Sequence, residues 1–84
     1  MKNKGINIEE VILPELGEGI EKATVVFWHL RAGDHVKQGE DIVELSTDKA
    51  TFNVSAGIDG IIKEIRFKEG DEAPIGSTLA IIEP

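Results

Sequence analysis

Four consecutive residues near the middle of the chain, Thr47-Asp48-Lys49-Ala50, could serve chemistry that needs an exposed amine. They lie between two runs typical of strands, Asp41–Ser46 and Thr51–Ser55, so the pattern predicts a β-hairpin with Lys49 at its tip. The central residues of such a turn face solvent, and Asp48 tolerates the left-handed backbone that hairpin turns often require. A free lysine in this position is a solvated cation and a poor nucleophile at neutral pH. Lys49 therefore becomes chemically interesting only as an attachment point for another group.

The size and charge of the chain limit what that lysine serves. With 84 residues, we expect one domain spanning residues 1–84, ordered from about residue 8, and a carrier or interaction module rather than a complete enzyme. The net charge of −7 argues against binding to nucleic acid or to an anionic membrane surface. The chain has no cysteine, so any redox chemistry requires a bound group. No signal peptide, transit peptide or membrane helix is recognisable, and a soluble protein is expected.

Turn-forming residues divide the chain into short runs rich in β-branched and aromatic residues, with no amphipathic helix. The predicted strands are 8–13, 23–30, 41–46, 51–55 and 61–68, with a short segment bounded by turn residues at 35–39 and two closing segments at 72–75 and 78–82. Residues 14–22 contain two glycines and are predicted to form an exposed loop, while residues 1–5 are predicted to be frayed. The pattern indicates an all-β sandwich or flattened barrel.

An internal repeat supports this fold, because Gly33-Asp34 recurs as Gly70-Asp71 at an offset of 37 residues. Other pairs at this offset are Gly39 and Gly76, Ile42 and Leu79, Leu45 and Ile82, Val25 and Ile62, Trp28 and Ile65, and Leu30 and Phe67. We expect two pseudo-two-fold halves, with the lysine tip and the chain ends at opposite ends of the body. Val25 and Trp28 are three residues apart, so both face inward only if the strand contains a β-bulge. The repeat predicts the same bulge in the second long strand.

Taken together, these residues resemble a lipoyl domain of the biotinyl/lipoyl carrier family, most similar to those of dihydrolipoamide acyltransferases in 2-oxo acid dehydrogenase complexes. The resemblance runs from about Ile8 to Pro84. It rests on Leu16-Gly17-Glu18-Gly19-Ile20, the Trp28 strand, Gly33-Asp34, Gly39, Thr47-Asp48-Lys49-Ala50 and Gly60. It implies two four-stranded antiparallel sheets, a barrel-sandwich hybrid, and lipoic acid in amide linkage to Lys49. The chain departs from the family at Ser46, where an acid is common, and at Ala56, where proline is common.

The resemblance also implies how such a domain works. The dithiolane of the attached group accepts an acyl group and two electrons by ring opening, and tethering raises its effective concentration at successive active sites. The domain itself is then a non-catalytic carrier. Its implied partners are the lipoate-attaching enzyme, the thiamine-dependent 2-oxo acid dehydrogenase, the acyltransferase catalytic domain and dihydrolipoamide dehydrogenase. The implied location is the cytoplasm of a prokaryote, or the mitochondrial matrix for a piece of a processed eukaryotic protein.

Recognition of the modified lysine is expected to involve its neighbours Thr47, Asp48 and Ala50. The family resemblance places the loop that contains Glu18 and Gly19 beside the lysine hairpin. Glu18 would then be a charge at the rim of the site, which tunes association rates more than affinity.

Two other functions fit the same fold. A biotin carrier of a carboxylase is one, but biotin carriers typically flank the target lysine with methionines, and the only methionine here is Met1. An unmodified interaction module is the other. Other polar or aromatic residues have simpler interpretations: Trp28 as core packing, His29 and His35 as surface residues without a metal partner. The acidic residues Glu40, Asp41 and Glu44 are interpreted as a solvated face.

Overall fold

The computed structural model describes residues 8–84, and within them every regular element is a strand. The expected fraying of residues 1–5 lies outside the described residues. The strands are β1 (Glu9–Ile12), β2 (Lys22–Trp28), β3 (His35–Val36), β4 (Asp41–Ser46), β5 (Thr51–Ser55), β6 (Gly60–Ile65), β7 (Glu72–Pro74) and β8 (Thr78–Glu83).

Two four-stranded antiparallel sheets form the molecule, with strand orders β1-β8-β6-β3 and β5-β4-β2-β7. The predicted all-β class and the two sheets are confirmed. The architecture is a flattened sandwich and not a closed barrel. The core lies between the sheets. Its most fully buried side chains are Leu13, Val25, Ile42, Val43, Leu45, Ile62, Leu79 and Ile82.

The pseudo-two-fold repeat is visible in the backbone hydrogen bonds between the halves. The Gly33 amide donates to the Ile62 carbonyl at 2.7 Å, and its counterpart Gly70 donates to Val25 at 2.8 Å. These two glycines have φ values of 97° and 95°, a left-handed backbone that a β-branched residue resists. The repeat in the sequence therefore corresponds to a repeat in backbone conformation.

Both predicted β-bulges are present. The register between β2 and β4 shifts between Val25 and Phe27, and the register between β6 and β8 shifts between Ile62 and Glu64. Each shift lets a buried residue and a second residue three positions later both face the core. Trp28 accordingly packs against the core, and its indole Nε1–H donates to the Phe67 carbonyl at 2.8 Å.

Several strands are shorter than predicted, because a turn competes for their last residues. The predicted strand 23–30 ends at Trp28, where the chain enters a turn in which the Arg31 amide donates to the Asp34 carboxylate at 2.9 Å. The strand predicted at 61–68 spans Gly60–Ile65 and is followed by the equivalent bond from the Lys68 amide to Asp71 at 2.8 Å.

The lysine hairpin and the end of β8 are separated along the molecule. Ser46, the last residue of β4, lies opposite Thr24 near the start of β2, and β2 leads away from the tip. The chain then turns into β3, where His35 lies opposite Ile61 of β6. On its other side, Ile61 lies opposite Glu83, the last residue of β8. This path places the tip and the end of β8 at opposite ends of the sandwich.

Candidate functional site

The lysine tip is a four-residue connection between β4 and β5, both of which have the predicted bounds. The adjacent residues Ser46 and Thr51 pair across the hairpin, and Leu45 pairs with the partly buried Phe52. One face of the hairpin is thus anchored on the core. Asp48, Lys49 and Ala50 are exposed, so the hairpin presents them to solvent from a rigid base.

Thr47 holds the tip in shape with both its backbone and its hydroxyl group. Its amide donates to the Ala50 carbonyl at 2.9 Å. Its Oγ1 accepts from the amides of Lys49 at 3.2 Å and of Ala50 at 3.3 Å. A side-chain oxygen therefore replaces the carbonyl that closes an ordinary turn, as threonine hydroxyls do. From the sequence, Thr47 was predicted only as a recognition residue. Its position two residues before the lysine could have indicated the structural role, because threonine hydroxyls often accept from backbone amides in turns.

Asp48 does not adopt the left-handed backbone conformation that hairpin turns often require. Within residues 8–84, the residues with positive φ are all glycines. The Thr47 hydroxyl explains the difference, because it satisfies the two tip amides in a turn whose residues keep negative φ. Lys49 consequently sits on an unstrained backbone.

The loop between β1 and β2 comes beside this tip. Leu16 packs against the core, and the Ile20 amide donates to the Gly17 carbonyl at 3.2 Å. Gly17 and Gly19 adopt φ values of 131° and 82°, so the loop turns sharply at both glycines. Glu18, between them, is exposed.

An open groove of about 520 Å³ separates the loop from the hairpin; we call it the lysine groove. Its walls include Gly19 and Ile20 on the loop side and Ser46, Thr47 and Asp48 on the hairpin side. The structure thus brings Gly19 together with Thr47 and Asp48. Glu18, Lys49 and Ala50 lie outside the residues that line the groove.

The groove is lined by more carboxylates than ammonium groups. Glu21, Asp48 and Glu72 line it together with Lys22, whose Nζ lies 3.0 Å from Glu72 Oε1. This ion pair leaves Glu21 and Asp48 as the remaining charges of the lining. The three ion pairs found within residues 8–84 do not include Lys49, and its side chain is exposed.

The other polar candidates are spread over the surface. His29 and His35 are exposed, as are Glu40 and Asp41. Within residues 8–84, no group of three or more histidine and acidic side chains is arranged to hold a metal ion. The described residues also include no helix with the length and hydropathy that a membrane crossing requires.

The chain matches known proteins along most of its length. Residues 9–82 match the biotin/lipoyl family, described as "Biotin-requiring enzyme". Over 73 residues, the chain is 40% identical to the dihydrolipoyllysine-residue succinyltransferase component of the 2-oxoglutarate dehydrogenase complex of Staphylococcus saprophyticus, covering 87% of this chain and 17% of the relative. It is 38% identical over 69 residues to the dihydrolipoyllysine-residue acetyltransferase component of the pyruvate dehydrogenase complex of Acholeplasma laidlawii, covering 82% and 13%. The chain thus spans less than a fifth of the length of either relative.

Two solved structures share the architecture. The lipoyl domain of the 2-oxoglutarate dehydrogenase complex from Azotobacter vinelandii superposes with a TM-score of 0.72 at 36% identity, covering 95% of this chain and 96% of that one. The urea carboxylase of Kluyveromyces lactis superposes with a TM-score of 0.78 at 21% identity, covering 96% of this chain and 7% of that one. The second likeness concerns the fold alone. The chain therefore belongs to the biotin/lipoyl family and is homologous to the lipoyl domains of 2-oxo acid dehydrogenase acyltransferases.

Proposed function

We propose that Lys49 carries lipoic acid in amide linkage, and that the chain is the carrier domain of an acyltransferase in a 2-oxo acid dehydrogenase complex. The observation that supports this most directly is the exposed Lys49 on a turn fixed by Thr47. An attaching enzyme needs a lysine whose amine it can reach and whose backbone has a defined shape. The tip supplies both without requiring the sandwich to move.

The residues around Lys49 fit an attachment site better than a catalytic one. The Lys49 side chain is exposed and the described ion pairs leave it free, so nothing has to be broken for an amide to form. When bound, the lipoyl group supplies a disulfide that takes up an acyl group together with two electrons. The chain positions that group, while partner enzymes carry out the reactions.

Lipoic acid is favoured over biotin by the residues that flank the lysine. Asp48 and Ala50 stand where biotin carriers typically have methionine, and the curated relatives described above are named for dihydrolipoyllysine. The proposed partners are therefore a lipoate-attaching enzyme, a thiamine-dependent 2-oxo acid dehydrogenase, an acyltransferase catalytic domain and dihydrolipoamide dehydrogenase.

The test is intact mass spectrometry after incubation with lipoate, ATP and a lipoate–protein ligase. We expect one lipoyl group per chain, and none in Lys49→Arg, because arginine keeps the charge but offers no acylatable amine. Lys22→Arg and Lys63→Arg are matched controls at other exposed lysines and should be modified fully. Parallel incubation with biotin and a biotin ligase should leave the mass unchanged. A lipoyl group on another lysine, or preferential biotinylation of Lys49, would contradict the proposal.

A further inference from the structure

An exposed aromatic pair lies on the outer face of the sheet that carries the lysine hairpin. Phe27 in β2 is 50% exposed, and its ring centroid lies 5.3 Å from that of His29, with an angle of 79° between the ring planes. His29 Nε2 lies 2.7 Å from Asn53 Oδ1 in β5. We call Phe27, His29 and Asn53 the aromatic patch.

The aromatic patch is built on rigid elements. Phe27 lies opposite Glu44 in β4, and Glu44 lies opposite Asn53 in β5, so the patch crosses three paired strands. The contact between His29 and Asn53 ties the imidazole ring to the far strand. Side chains held in this way lose little conformational entropy when another molecule covers them.

The fold does not require aromatic residues at these positions, because its other half provides an internal control. The repeat places Glu64 and Arg66 of the second half where Phe27 and His29 stand in the first. Arg66 Nε and Glu64 Oε2 form an ion pair at 3.2 Å. The same backbone thus accommodates a solvated ion pair, so packing within the fold does not dictate an aromatic pair here, and the pair is free to serve contact with another molecule.

Carboxylates flank the aromatic patch on both sides of β2. Glu44 lies on the β4 side, and Glu69 lies on the other side, where its Oε2 accepts from the Trp28 amide at 3.1 Å. A phenyl face bordered by carboxylates suits a lysine or arginine side chain, which gains a cation–π contact and an ion pair together. A second copy of this chain fits poorly, because each copy carries a net charge of −7 and would bring like charges together.

The patch lies close to the lysine along the same hairpin. Asn53 follows Lys49 by four residues, a distance of roughly 13 Å along a strand at about 3.3 Å per residue. We propose that the aromatic patch docks a basic segment of the thiamine-dependent dehydrogenase that receives the Lys49 arm. This proposal rests on the proposed function, since it concerns a partner of that same arm. The patch would hold the partner while the tip delivers the cofactor.

The test is an NMR titration of the ¹⁵N-labelled, lipoylated domain with the unlabelled dehydrogenase component from the same organism. The decisive variant combines Phe27→Glu with His29→Arg. It places at these positions the residue types of the Glu64–Arg66 ion pair in the other half. Ile61→Glu is the matched control, because Ile61 is also exposed, at 38%, but lies in the other sheet. The unlipoylated Lys49→Arg domain is titrated as well.

We expect the amide signals of residues 27, 29 and 53 to shift on titration, with and without the lipoyl group. The double variant should raise the dissociation constant about tenfold, as expected when an interface aromatic is lost, while Ile61→Glu leaves it unchanged. Shifts confined to residues 47–50 would overturn the docking proposal and leave the proposed function standing. Failure of Lys49 to accept a lipoyl group would instead contradict the proposed function. Concentration-dependent dimerisation that the double variant abolishes would overturn the proposal in favour of a second copy.

Discussion

The lysine hairpin and the pairing of β8 with β1 are equivalent regions of the two halves, and they differ in how their strands are joined. In both regions the two strands pair antiparallel with matching registers: Leu45 lies opposite Phe52, and its counterpart Ile82 lies opposite Glu9. Both registers also shift at equivalent points. In the first region a four-residue turn joins the strands, whereas β8 and β1 are far apart in the sequence. The sandwich can therefore be built without such a turn, so the turn is free to serve function.

The side chains at these equivalent positions also differ. Phe52 packs against the core below the lysine tip. Glu9 takes the corresponding place beside β8, and its Oε1 is buried without a hydrogen-bond partner among residues 8–84. A packed phenyl ring stabilises the strands around it, so the end that presents the lysine has an apolar anchor where the other end has a carboxylate.

The largest expected effect comes from core residues at equivalent positions. Leu45 and Ile82 are both fully buried, so we expect Leu45→Ala and Ile82→Ala each to lower the free energy of unfolding by about 2–5 kcal/mol. Urea denaturation followed by Trp28 fluorescence measures this. Val26→Ala is the control, because Val26 is 43% exposed and its truncation should cost about 0.5 kcal/mol or less. A large loss in only one of the two core variants would show that the halves are not energetically equivalent.

A smaller effect is expected at Gly60, where the two halves diverge. The equivalent residue in the first half is Ala23, which is buried. A Cβ on Gly60 would lie 2.5 Å from the Glu83 carbonyl oxygen and 2.8 Å from Ile82 Cγ2. Gly60→Ala should therefore lower the free energy of unfolding by about 1–3 kcal/mol through overpacking. In the same urea experiment Ala23→Gly should cost about 0.5–1 kcal/mol through chain entropy. A neutral Gly60→Ala would mean that β8 moves away easily.

Thr47→Val tests whether the hydroxyl shapes the tip. Valine keeps the volume of threonine but cannot accept from the Lys49 and Ala50 amides, and we expect a loss of about 0.5–1.5 kcal/mol, typical of one hydrogen-bonding group. Because the lysine backbone loses its support, lipoylation followed by mass spectrometry should slow. Thr51→Val, at an exposed position of β5, is the matched control. Equal lipoylation rates in the two variants would show that the Thr47 hydroxyl does not affect lipoylation.

The smallest effect on stability is expected for Glu18→Lys. Glu18 is exposed on the loop beside the tip, so we expect a change in stability below about 1 kcal/mol and unchanged lipoylation. Reductive acylation by the dehydrogenase should slow at low salt, and the defect should shrink as ionic strength rises. Acylation rates across a salt series measure this, with Glu15→Lys in the same loop as the control. Equal rates at low salt would exclude the loop from recognition.

The repeat in the sequence predicted the features that depend on local spacing. The three-residue interval from Val25 to Trp28 predicted the bulge in β2. The repeat, which places Ile62 where Val25 stands, predicted the equivalent bulge in β6. The hairpin around Lys49 was predicted with its bounds, because its strands are neighbours in the sequence. These features follow from periodicity, which a sequence displays directly.

Other features depend on contacts that periodicity does not encode. The Thr47 hydroxyl selects a turn without left-handed residues, although Asp48 would have allowed another turn. The ends of the long strands depend on the carboxylates of Asp34 and Asp71, which draw the preceding amides into turns. Phe27 is exposed next to the bulge in β2, and its ring contacts that of His29, which follows the end of β2. Such details require the packed structure.

The pairing of β1 with β8 also bears on the order in which the molecule folds during synthesis. Glu9 pairs with Ile82, so this sheet closes only after residue 82 has been made. The contacts of the lysine hairpin are local, and local contacts form faster than distant ones because less chain entropy is lost on closure. The turn that bears Lys49 can therefore form early, whereas the complete sandwich forms only once β8 is available. A nascent chain would then present Lys49 on its hairpin before β8 has closed the second sheet.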